Sequence, residues 1–167
     1  MTRSIRLART ADAEAIRDIH LASIKGLGGE RYTEAQVDAW AHERDPADYP
    51  IDEEETTVFV AEQGGSIIGF GWLTLEGDAD FEAEADGKIG AIYVHPGFAR
   101  RGIGTTIYQA LETRARERGL DSLGLWASLN AVQFYEVQGY SKVRELTYEF
   151  GGEVEGPAVE MRKTLDR

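Results

Sequence analysis

The sequence predicts an α/β (α+β) domain built on a layered sheet, and three observations carry the prediction. Two apolar runs in the first half are split by Gly64-Gly65, a hairpin signal. A strand ending at Pro96 hands over to a helical run through a loop of glycines and arginines. Further strands then precede and follow helical segments to the end of the chain. The 167 residues read as one domain, 1–167, large enough to bury a substantial core.

In order, Ile5 to Arg9 alternates as a half-buried strand does, and a helix follows with Ile16, Ile19, Leu21 and Ile24 on its apolar face and Thr10 or Asp12 as its cap. Gly26, Gly28 and Gly29 interrupt that pattern. Thr33-Glu34-Ala35-Gln36 has capping-box form for a helix carrying Val37 and Trp40, and Pro46 and Pro50 end the region. Thr57 to Glu62 and Ile67 to Leu75 read as hairpin strands, followed by an acidic loop. Ile89, Ile92, Tyr93 and Val94 mark the next strand. Ile103, Ile107, Leu111 and Ala115 recur every fourth residue on a helix that stops at Gly119. A strand over Leu123 to Ala127, a short helix through Tyr135, and strands over 141–150 and 157–164 joined by Gly151-Gly152 complete the chain.

The chain has no cysteine, which excludes disulfides, a thiol nucleophile and thiolate metal sites; His20, His42 and His95 have no metal-ligand spacing, so no metal is expected. The N-terminus lacks the apolar core of a secretory signal, and no stretch approaches the roughly 18 apolar residues of a membrane span, so a cytoplasmic location and no membrane partner are expected. A net charge of -12 disfavours nucleic acid. Acids cluster at Asp52 to Glu55 and at Glu76, Asp78, Asp80, Glu82, Glu84 and Asp86, beside only Lys25, Lys88, Lys142 and Lys163. That acidity reads either as a solvating surface of halophilic type or as a field that draws a cationic amine.

The most informative run is Val94-His95-Pro96-Gly97-Phe98-Ala99-Arg100-Arg101-Gly102-Ile103-Gly104-Thr105. A helix beginning near Gly102 leaves its first N–H groups unpaired at its positive dipole end, which makes an anion cradle. Without a Lys-Ser/Thr pair it is not a Walker loop, and Gly102-Ile103-Gly104 lacks the third glycine of a dinucleotide fingerprint. Further on stands Leu125-Trp126-Ala127-Ser128-Leu129-Asn130-Ala131-Val132-Gln133-Phe134-Tyr135-Glu136-Val137-Gln138-Gly139-Tyr140.

With both blocks, the chain resembles the GNAT superfamily of N-acetyltransferases over nearly its whole length. The resemblance implies a mixed, mostly antiparallel twisted sheet of about six to seven strands flanked by about four helices, splayed beside the cradle strand. It implies acetyl-CoA as co-substrate and an amine acceptor. The main chain of Ile92, Tyr93 and Val94 would pair with pantetheine, and the N–H groups of Arg100, Arg101, Gly102, Ile103, Gly104 and Thr105 would hold the pyrophosphate, with added bonds from Arg100 and Arg101. Relatives usually carry Gln or Arg where this chain has Ala99. Tyr135 falls at the general-acid position. Ser128 replaces a pantetheine-contacting Asn, with Asn130 nearby; a helix N-cap is the competing role for either.

The base is the open position. Relatives place Glu where this chain has Lys88 or Leu123, leaving Asp86, Glu84, His95, or Tyr93 through a water as candidates. Acceptor-pocket candidates are Tyr32, Trp40, Trp72 and Tyr93. The expected function is acetyl transfer from acetyl-CoA to a primary amine by direct attack in a ternary complex. The alternatives are a non-catalytic acyl-CoA sensor and a transferase of a bulkier acyl group. The resemblance also admits a homodimer paired through the final strands.

Overall fold

The computed structural model describes residues 3–165, which leaves Met1 and Thr2 of the N-terminal segment outside the described residues. The strands are β1 (Arg3–Leu7), β2 (Thr56–Gln63), β3 (Ser66–Thr74), β4 (Gly87–Val94), β5 (Ser122–Ser128), β6 (Ser141–Gly151) and β7 (Val154–Thr164). The α-helices are α1 (Ala13–Leu27), α2 (Glu34–Trp40), α3 (Ile103–Glu117) and α4 (Val132–Val137). The strands form one sheet in the order β1-β2-β3-β4-β5-β7-β6. This is the layered sheet that the sequence predicts, mixed and mostly antiparallel with flanking helices as the resemblance implies.

Alternation along β2 divides the core. Val58 and Val60 join Ile16 and Ile19 of α1, whereas Phe59 and Ala61 face the cluster built on Ile103, Ile107, Leu111 and Ala115 of α3. Each of the valines, leucines and isoleucines contributes about 1.5–3 kcal/mol on full burial. Glycine permits the close approach of α3, since a Cβ on Gly71 would lie 2.9 Å from Ile107. The hairpin turn between β2 and β3 places Gly64 and Gly65 at φ 59° and 81°, a conformation that disfavours side chains.

Before α1, Asp12 accepts the Arg9 N–H at 2.7 Å and bonds from the two terminal nitrogens of Arg6, so its carboxylate closes a preceding 3-10 turn. Thr10 instead donates its hydroxyl to Asp52. The Arg6 guanidinium holds the Asp12 carboxyl below the usual carboxylate range despite its burial. At α2, Thr33 Oγ1 accepts from Gln36 N at 3.1 Å and Gln36 Oε1 accepts from Thr33 N at 2.9 Å, the predicted capping box.

Two features of the sheet shape the site. β4 and β5 are parallel and pair only over Gly87–Ile89 and Leu123–Leu125, so the strands separate beyond that point. On its other side β4 carries a bulge at Gly90, opposite Trp72 and Leu73. The last strand, β7, lies between β5 and β6 and begins before the expected residue 157. Pro157 is tolerated because β5 pairing stops at Ala158, leaving Pro157 a neighbour on the β6 side only.

Candidate active site

Where β4 and β5 part, a cavity of about 420 Å³ opens between the end of β4, the start of α3 and α4. The chain before α3 turns through two left-handed residues, Arg100 at φ 64° and Gly102 at φ 78°. Alternation of this kind turns successive N–H groups toward one point and forms an anion nest. The first helical bond runs from Thr106 N to Gly102 O at 3.1 Å; the N–H groups of residues 100–105 donate to no acceptor among the described residues. Five of those six residues line the cavity, Arg101 being the exception. The Arg101 guanidinium lies 5.4 Å from the Phe98 ring centroid, and its carbonyl accepts from Arg3. Gly104 presents no Cβ to the cavity, and one built there would sit 3.4 Å from Phe134.

Ile92, Tyr93, Val94, Ser128, Asn130 and Tyr135 line the same cavity, so the structure brings the sequence-predicted site residues together. Tyr135 is buried in α4 against Phe134 and Tyr140, with ring centroids 5.1 and 5.6 Å away. Its hydroxyl bonds to none of the described residues. Burial, reinforced by the neighbouring Tyr140 and Tyr93 phenols, raises its pKa well above 10, so it is a protonated donor throughout the neutral range. The N-cap position of α4 falls to Ala131 rather than to Ser128 or Asn130; its methyl offers no acceptor and so makes no side-chain cap bond, while its N–H donates to the Ser128 carbonyl at 2.9 Å.

Behind the cavity, the His20 ring stands 4.5 Å from the Tyr93 ring, and its Nδ1 is 2.9 Å from the Tyr49 hydroxyl. Burial pushes His20 down to about 3, with Arg44 and His42 adding to the effect. Tyr93 is likewise raised by burial, only partly offset by Arg44 and Trp40. Tyr93 therefore stays protonated and is unsuited to act as a base.

The other base candidates lie elsewhere. Glu84 and Asp86 line a separate recess beside Ser122 and Arg162, and Asp86 accepts the Asp121 N–H at 2.8 Å. His95 is exposed, with Nδ1 accepting from Gly97 N at 3.0 Å, which closes the turn after β4. Lys88 is paired with Asp78 at 2.8 Å, and Leu123 is fully buried. Among the acceptor candidates, Trp40 and Tyr93 line the cavity, whereas Trp72 stacks on Phe70 in the α1 cluster. Tyr32 is a tie: its hydroxyl donates to Pro157 O at 2.7 Å and accepts from Leu129 N at 2.9 Å.

Sequence reasoning missed Ser23, Glu30 and Phe98, which also line the cavity. Glu30 was the one with a signal, as the only acid between the glycine cluster after α1 and the capping box of α2.

Residues 25–140 match the family described as acetyltransferase (GNAT). A mycothiol acetyltransferase of Thermobispora bispora is 34% identical over 90 residues, covering 50% of this chain and 30% of that protein. An uncharacterized N-acetyltransferase of Methanocaldococcus jannaschii is 24% identical over 144 residues, covering 84% of this chain and 62% of the relative. The chain thus spans less than two thirds of the length of either. Among solved structures, a GCN5-related N-acetyltransferase from Rhodopseudomonas palustris superimposes with a TM-score of 0.83 at 30% identity, covering 99% of this chain and 97% of that one. The PaiA N-acetyltransferase of Thermoplasma acidophilum, solved with coenzyme A, shares the fold at a TM-score of 0.74 and 19% identity, covering 99% of this chain and all of that one. With the family match spanning most of its length and the splayed sheet in place, the chain belongs to the acetyltransferase (GNAT) family.

Proposed function

We propose that the chain transfers an acetyl group from acetyl-CoA to a primary amine by direct attack in a ternary complex. The observation that supports this best is a single cavity joining the open N–H groups before α3 to the protonated phenol of Tyr135. Bound acetyl-CoA supplies a thioester whose acetyl carbon is open to attack. The N–H groups of residues 100–105, with the Arg100 guanidinium, hold its pyrophosphate by charge-assisted bonds. The main chain of Ile92, Tyr93 and Val94, free of β5 where the strands part, pairs with the pantetheine amides as an added strand. Ser128 and Asn130 flank that arm from the β5 side, and Tyr135 hands its proton to the departing sulfur.

The test is thiol release from acetyl-CoA over a panel of primary amines. Amine-dependent release supports the transferase. Tight coenzyme binding without such release favours the acyl-CoA sensor, a reading that draws on Lys88 and Leu123 standing where relatives hold a basic Glu. Competition between succinyl-CoA and acetyl-CoA tests the bulkier donor. The proposal includes a homodimer paired along β6, the edge strand at the β7 side of the sheet, where Tyr148 is exposed; sedimentation as a monomer would remove that part.

A further inference from the structure

We infer that Glu30 is the acceptor-side base, the carboxylate that receives the ammonium of the acceptor and takes its proton; the inference rests on the N-acetyltransferase reading above. Among the described residues, two charged side chains line the cavity, Arg100 in the anion nest and Glu30 on the segment between α1 and α2. Glu30 is exposed and makes no ion pair or hydrogen bond among the described residues. The acids that sequence reasoning favoured are committed to other partners or line the separate recess.

The segment that carries Glu30 is held at both ends. At one end of its segment, Gly26 is pressed against Pro96, just beyond β4: a Cβ there would lie 2.6 Å from Pro96 Cγ. At the other end, Tyr32 accepts the N–H of Leu129, just beyond β5, and donates to Pro157 O. The segment therefore bridges the ends of β4 and β5 where they diverge, and it carries Glu30 across the mouth of the cleft. Trp40 and Tyr93 line the same cavity and add aromatic surface beside it.

The acceptor class that fits is a primary amine that arrives as an ammonium. A free ammonium has no lone pair, so one proton must leave before attack. It passes to the Glu30 carboxylate and on to solvent. The amine nitrogen then bonds to the acetyl carbon, the carbon–sulfur bond breaks, and the sulfur takes the Tyr135 proton. The second proton leaving nitrogen restores the phenol, so amide, thiol and one released proton balance the reaction.

The decisive comparison uses the full chain, wild type and Glu30→Gln, with phenethylamine and a panel of other protonated primary amines set against trifluoroethylamine, which is neutral at the assay pH. In Glu30→Gln, kcat/KM for protonated amines is expected to fall roughly 10²-fold. Trifluoroethylamine should stay near its wild-type value, and acetyl-CoA should raise the melting temperature as in wild type. Glu30→Asp should recover part of the loss. Equal rates in wild type and Glu30→Gln, or an equal loss on charged and neutral amines, would overturn the assignment while leaving the transferase intact. No amine-dependent release by the wild type would remove the transferase reading itself, and this inference with it.

Discussion

The indole of Trp72 lies directly on Gly90, where a Cβ would fall 1.8 Å from Trp72 Nε1. This contact sits at the bulge of β4, the strand whose far end forms one wall of the cleft. The indole occupies the space that a side chain at position 90 would need. Gly90→Ala should displace the indole and cost about 1–3 kcal/mol in chemical denaturation. An unchanged midpoint would mean that the bulge tolerates a side chain.

Gly104 differs in kind. Its Cβ would meet Phe134 at an ordinary 3.4 Å, so protein packing does not exclude alanine there. Gly104→Ala should keep or slightly raise the melting temperature, because alanine is favoured over glycine in a helix by about 1 kcal/mol. It should weaken acetyl-CoA binding about tenfold, a loss of roughly 1.4 kcal/mol, by filling the path to the open N–H groups. Calorimetry on both proteins checks this, and equal affinities would show that the ligand does not approach Gly104.

His20 gives the fold a pH dependence. Its native pKa, lowered by burial to about 3, lies below the ordinary 6.5 of the unfolded chain. Between these values the unfolded state binds a proton that the native state refuses, so stability falls as pH drops below 6.5. The loss reaches about 2 kcal/mol near pH 5. Urea unfolding from neutral pH to pH 5 should show this slope in wild type and a flatter one in His20→Phe. Parallel slopes would contradict it.

The acidic loop is anchored by one buried carboxylate. Glu160, 1% exposed, accepts the N–H groups of Glu82 and Ala83 at 3.0 and 3.1 Å and pairs with Arg144 at 2.8 Å. Burial alone would raise its pKa, but these bonds outweigh it and hold the carboxyl below its usual range. The stabilisation is present above the unfolded pKa and is lost as pH falls through the native value. Glu160→Gln should cost about 1–3 kcal/mol and speed proteolysis within residues 77–86. Unchanged cleavage of that loop would show that Arg144 and Arg162 suffice to hold it.

Local signals carried most of the fold. The capping box at Thr33, the hairpin at Gly64-Gly65 and the four-residue spacing from Ile103 to Ala115 each act within a few residues, and each appears where the pattern puts it. The position of β7 between β5 and β6 was not legible, because strand order depends on pairings between segments far apart in the chain. That the glycine loop and Tyr135 share one cavity was readable because spaced motifs mark both segments. For Glu30 the sequence offered only a lone acid between two local signals, and its place at the cavity depends on Gly26 meeting Pro96 and Tyr32 meeting Leu129, contacts with no sequence period.

The most direct test of the central claim is turnover by Tyr135→Phe, measured beside its melting temperature with and without acetyl-CoA. Removing one hydroxyl from a buried ring leaves the packing of α4 in place, so the ligand shift should persist, about 2.7 kcal/mol of stabilisation at 100 times Kd. The account predicts that shift together with a kcat roughly 10²-fold lower. Full turnover with the shift intact would contradict it, because another group would then be protonating the sulfur.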